Sequence, residues 1–195
     1  MSIPFFRKAL MVFLLLNMLA CKALTPGTKA NAADVEREEQ AVYSVVVHSG
    51  DGPAVLLRET SADISSDDPA QSLDYIKSGL PSASKETLNS FVDRNKESTQ
   101  LAPDMQLDME YVLLSHDERQ NIFTQADGWD TFYEKYPGSG GYTSLSRVGF
   151  NDTLDQAVVY AGNMAGPLMG AGFYYLLEKQ GGEWRIIEQV MAWIS

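Results

Sequence analysis

Arg147 is the side chain in this sequence with the clearest chemical demand. It stands in Leu145-Ser146-Arg147-Val148-Gly149-Phe150-Asn151, a run of apolar and small residues. An unpaired charge is costly to bury in such surroundings, so the guanidinium must meet a carboxylate, a carbonyl or a ligand. One expectation is an anion held bidentately by Arg147, with Ser146, Asn151 and Tyr136 completing a ligand-binding pocket. The other is an internal ion pair with Asp130 or Glu134 that ties the preceding helix to the sheet. Internal pairing is the favoured reading, because ion-pair networks commonly resemble sites.

Other chemistries fare worse. His48 and His116 are the only histidines and sit beside turn or acidic residues, in neither H-x-x-x-H nor H-E-x-x-H spacing. With no second sulfur available, neither a metal site nor a cofactor is expected. There is no G-x-S-x-G elbow, and Ser139 in Pro137-Gly138-Ser139-Gly140-Gly141 reads as a turn serine. Gly162, Gly166, Gly170 and Gly172 lack the lysine and the following helix of a phosphate-cradling loop. They read instead as a mobile apolar loop whose Met164, Leu168 and Met169 would form the lip of a pocket or a partner surface. Asp67-Asp68 reads as a solvated pair in a polar loop. No catalytic residue is assigned. An enzyme would need Asp130, Glu134 or Tyr160 to form an acid–base pair in a pocket around Arg147.

The 195 residues carry a net charge of −11, from 15 Lys+Arg against 26 Asp+Glu, and 45% are hydrophobic. That length suits one domain with a real core. The acidic balance excludes nucleic acid as a partner, since phosphate neutralisation needs clustered Lys and Arg. One cysteine excludes an internal disulfide framework.

The N-terminus points to export. Arg7 and Lys8 precede an apolar stretch over residues 9–20 that is 12 residues long with Asn17 included. This is short of the roughly 20 residues that a membrane-spanning helix needs, and it matches the apolar part of a secretory signal. Met18-Leu19-Ala20-Cys21 resembles the lipobox of bacterial lipoproteins. The resemblance implies cleavage before Cys21, a thioether-linked diacylglycerol on its sulfur, and membrane anchoring by acyl chains. Residues 1–20 are then the signal peptide, 21–33 a lipidated tether and 34–195 a single domain. From Cys21 onward, 13 basic and 26 acidic residues leave a net −13, so anionic lipid would repel the domain rather than attract it. By the same resemblance, Lys22 stands where inner-membrane retention uses Asp. This favours the periplasmic side of the outer membrane in a Gram-negative source.

The elements behind these residues follow from periodicity. Residues 34–48 read as a helix capped by Asp34, with Glu36, Glu38 and Glu39 near its positive end. Residues 54–59 read as a strand, and 74–80 as a short helix. A further helix starts at Ser84, with Leu88, Phe91 and Val92 as its buried stripe. Alternation over 105–114 predicts another strand, and residues 116–121 a turn or single helical turn. Trp129, Phe132, Tyr133 and Tyr136 at i, i+3, i+4 and i+7 predict a helix over 128–136. Strands follow over 145–150, 156–162, 172–179 and 183–194, the last two joined by a tight turn at Gly181-Gly182. In the last of them, Trp184, Ile186, Val190 and Ala192 share one face.

The expected fold class is therefore α+β, with N-terminal helices packed on a C-terminal antiparallel meander. One version is a curved sheet closed by helices, as in cone-shaped NTF2-like domains. The segment from Trp129 to Asn151, together with the closing Trp193-Ile194-Ser195, resembles a group of uncharacterised exported bacterial proteins. That likeness brings no activity with it. The functional expectation is a membrane-anchored envelope lipoprotein that binds a small ligand or an envelope protein, with an envelope enzyme as the alternative.

Overall fold

The structure, a computed structural model, describes residues 31–61 and 69–195. The leader, Cys21, the tether before Asn31 and the Asp67-Asp68 pair lie outside them. The first helix, α1 (Ala32–Val46), is opened by Asn31, whose extended backbone lets its side chain accept the Asp34 N–H at 2.9 Å. The cap is thus three residues earlier than the Asp34 the sequence suggests, and Asp34 instead pairs with Arg37 on the surface. The buried face of α1 holds Val42, Tyr43 and Val46 together with Glu38 and Glu39. Two acids that seemed placed for the helix dipole are in fact turned into the protein.

Among the described residues, seven strands form one open sheet: β1 (Ala54–Leu57), β2 (Tyr111–Leu114), β3 (Tyr142–Leu145), β4 (Gly149–Phe150), β5 (Gln156–Gly166), β6 (Met169–Gln180) and β7 (Glu183–Ile194). Their order is β2-β1-β3-β5-β6-β7, with β4 pairing β5 beside that path. The antiparallel meander β5–β6–β7 is present, and the domain is α+β. The expectation of a purely C-terminal sheet needs correcting. β1 enters from the first half and pairs in parallel with both β2 and β3. Only four residues of the predicted 105–114 strand belong to the sheet. Met105 instead leaves the ladder and packs with Leu101 into the core beneath α1.

The segment expected to be a mobile loop, 162–172, is also ordered strand. β5 and β6 continue through it to a tight turn at Pro167-Leu168, and pair as far as Gly166 with Met169. Its glycines make room rather than bind phosphate. A Cβ on Gly172 would sit 2.2 Å from the Trp193 indole nitrogen, and one on Gly162 would sit 2.3 Å from the Tyr160 hydroxyl. At the other end, Gly181 and Gly182 both take positive φ in the two-residue turn, as their sequence implies. β7 carries a bulge opposite Leu176/Leu177, which changes the face of the residues beyond it. Trp184 therefore packs on the α1 side, Val190 and Ala192 pack on the other, and Ile186 is 37% exposed. The single face expected for these four residues is split.

Helices cover both faces. α1 and the 101–107 segment pack on one side of the sheet with Leu56, Val159 and Leu177. The opposite side meets α2 (Pro69–Gly79) and α3 (Lys85–Arg94) around Phe91, Val158 and Leu176. It also meets α4 (His116–Phe123) and α5 (Gly128–Lys135) around Val55 and Phe132. α3 begins at Ser84, whose hydroxyl accepts the Thr87 N–H at 3.1 Å. It then lies so close to β4 that a Cβ on Gly149 would meet the Phe91 backbone nitrogen at 2.3 Å.

Candidate functional site

Residues 145–150 do not form one strand. The ladder breaks at Ser146-Arg147-Val148, between β3 and β4, and side chains from α1 and α3 take over the freed backbone groups. Asn95, just past α3, accepts the Arg147 N–H at 2.8 Å and donates to the Arg147 carbonyl at 2.9 Å. The Tyr43 hydroxyl of α1 donates to the Ser146 carbonyl at 2.9 Å, and the Val148 N–H donates to Glu39 Oε1 at 2.9 Å. The Ser146 carbonyl and the Val148 N–H are buried and the Arg147 backbone groups partly so, so each gains from such a partner.

The break aims Arg147 at α1. Its Nε and Nη2 donate to the two oxygens of Glu39 at 2.8 and 2.7 Å, a bidentate pair. Arg94, the last residue of α3, adds its Nη2 at 3.0 Å to both oxygens. Glu39 is only 7% exposed, whereas Arg94 and Arg147 keep about a quarter to a third of their side chains in solvent (26% and 30%). Burial alone would raise the Glu39 pKa; the bonds and charges of Arg147 and Arg94 and the Val148 N–H outweigh it and hold the carboxyl below its usual range. Burial, with the Glu39 charge 3.2 Å away, drives the Tyr43 phenol well above its ordinary value. Arg147 is raised by its bond to Glu39.

Beside this group lies a cavity of about 390 Å³. One wall is polar, formed by Arg94, Arg147, Glu39 and Gln100; the other is apolar, formed by Val35, Leu101 and Met105. Two guanidiniums share one buried carboxylate, and the Arg94 Nε–H is buried with no acceptor. Glu36 lines the mouth but is exposed. Solvent therefore screens its charge more than that of the buried ions. The arrangement has a buried guanidinium donor to spare, the Arg94 Nε–H.

The residues expected to converge on Arg147 do not share this cavity. Ser146 is buried beside it, with its hydroxyl donating to the Arg147 carbonyl and accepting the Tyr160 N–H. Asn151 closes the β4–β5 turn by bonding Asp155 and the Gln156 N–H. Tyr136 belongs to the α5 cluster, where its hydroxyl donates to Glu118 at 2.8 Å. Asp130 and Glu134 are exposed and neither pairs with Arg147. The internal pairing expected for Arg147 exists, but with Glu39, 108 residues earlier. Tyr160 faces the other side of the sheet, accepting the Trp193 indole N–H at 2.7 Å. His48 and His116 are exposed, and Ser139 ties its hydroxyl to the Tyr136 carbonyl.

Glu39, Arg94 and Asn95 were missed by sequence reasoning. A signal for Glu39 did exist: it falls on the stripe Val35, Glu39, Val42, Val46, where a helix buries its residues. Set beside known proteins, the chain matches no family model, no curated protein and no solved structure.

Proposed function

We propose that this chain is an exported lipoprotein, held at the cell envelope by acyl chains on Cys21, whose domain binds a small organic anion without transforming it. The observation that carries the binding reading is a guanidinium donor left without an acceptor beside the cavity. Arg94 and Arg147 divide one carboxylate between them, and the Arg94 Nε–H lacks an acceptor. A monocarboxylate with a short apolar tail suits the cavity, its head at the guanidiniums and its tail against Val35, Leu101 and Met105. The anchor rests on the Met18-Leu19-Ala20-Cys21 sequence, and the outer membrane is its place in a Gram-negative cell. The enzyme alternative draws no support from this site: Glu39 is held ionised and Tyr43 protonated, so neither exchanges a proton at neutral pH. The bulges in β5 and β7 favour a curved sheet of the NTF2-like kind, with the parallel β1–β2 pair as a departure from it.

Calorimetric titration of the full chain with acetate and butyrate tests the binding reading. Binding should weaken about tenfold or more in Arg94→Met, which leaves the Glu39–Arg147 pair intact. Equal affinities in the two proteins would overturn it. Cys21→Ala should abolish incorporation of labelled palmitate and release the chain from membranes; unchanged labelling would end the lipoprotein reading.

A further inference from the structure

α1 is too short for the sheet it covers. Its 15 residues run about 22 Å at 1.5 Å each. The 12-residue strand β6 beneath it reaches nearly twice as far, about 40 Å. Past Val46 the uncovered part of this face forms a second cavity, about 600 Å³ in volume. Its floor is made of small side chains on β5 and β6, Ala161, Ala165 and Ala171, flanked by the Phe173 and Tyr175 rings 5.9 Å apart. Small residues on neighbouring strands leave a trough between larger walls, a shape that suits a linear chain.

The chemistry of the lining narrows the occupant. No Asp, Glu, Lys or Arg contributes to it. Its polar side chains include His48, which is exposed to solvent, and Asn163, which already donates to the Gly140 and Tyr142 carbonyls and to the Thr143 hydroxyl, at 3.2–3.4 Å. The cavity thus offers no Asp, Glu, Lys or Arg side chain for an ion to pair with, unlike the one at Arg147. At its mouth Met169 and Ile194 are 65% and 71% exposed, and the adjoining Leu168 at the β5–β6 turn is 82% exposed. Large apolar side chains around a cavity without Asp, Glu, Lys or Arg favour entry from an apolar phase.

We propose that this cavity takes the unbranched acyl chain of a membrane lipid, admitted past Leu168, Met169 and Ile194. The site does not depend on acylation of Cys21 or on the anion cavity. The test uses the full chain with photoactivatable palmitic acid presented in phosphatidylcholine vesicles, and cross-links mapped by mass spectrometry. Cross-links should concentrate on Ala161, Phe173 and Tyr175. Met169→Glu, an exposed change that leaves the core alone, should cut them about tenfold by placing a charge at the mouth. Ala171→Trp, which fills the trough, should do the same if it folds; Met169→Glu decides the matter if it does not. Arg94→Met should label like the unmodified chain, which separates this site from the anion cavity. Labelling confined to Leu168 and Ile194, labelling undiminished in Met169→Glu, or none because a second protein covers the face would each overturn the proposal.

Discussion

Glu39 gathers the two oxygens of one carboxylate, two guanidiniums and a backbone N–H into a junction where α1, α3 and the β3–β4 break meet. A buried charge of this kind is hard to replace, since removing one member leaves the others uncompensated. Glu39→Gln should destabilise the domain by about 3–5 kcal/mol, measured by urea unfolding. A loss well under 1 kcal/mol would mean the two arginines are satisfied by solvent instead. The need of Arg147 for a partner was legible from its surroundings, but the identity of that partner was not. Local sequence offered Asp130 and Glu134. The acid that won lies on a helix more than a hundred residues away, and only the packing of α1 on the sheet brings it there.

Elements whose boundaries are written in adjacent residues came through clearly. α5 follows its aromatic spacing, α3 its serine cap, and the β6–β7 turn its two glycines. Elements that depend on distant partners did not. β1 read as a strand, but its parallel pairing with β2 and β3 did not show in its own residues, and residues 162–166 are strand because β6 runs back along them. Gln156 shows the same limit. It is an unremarked polar residue at the start of β5, yet its side-chain oxygen accepts the Ser84 N–H at 2.7 Å and the Thr87 hydroxyl at 2.9 Å. Its amide donates to the Ser82 carbonyl and to Glu178. This one side chain moors the N-terminus of α3 to the sheet. Gln156→Leu should cost about 1–3 kcal/mol, because it strands buried polar groups, and should raise hydrogen exchange at the start of α3 before anywhere else. Uniform exchange across the domain would argue against a local mooring.

At the level of the whole molecule, α1 is bound to the sheet through two acids. Glu39 meets Arg94 and Arg147, and Glu38 meets Lys179 at 2.6 Å and the Trp184 indole N–H at 2.8 Å. Burial would raise the Glu38 pKa, but Lys179 and Trp184 lower it on balance, as their counterparts do for Glu39. Both folded pKa values lie below the unfolded glutamate value of about 4.3. The stabilisation is therefore complete above that pH and drains away as pH falls through the folded values. The melting temperature should hold steady from neutrality down to about pH 5 and then decline, with a shallower decline in Glu39→Gln. Identical acid limbs in the two proteins would exclude Glu39 as a contributor. The three packing clusters each hold one of the three tryptophans: Trp184 on the α1 side, Trp193 against α2 and α3, and Trp129 with α4 and α5. The molecule thus carries its own set of optical reporters. Variants that retain a single indole would show by emission whether the three regions melt in unison or in sequence.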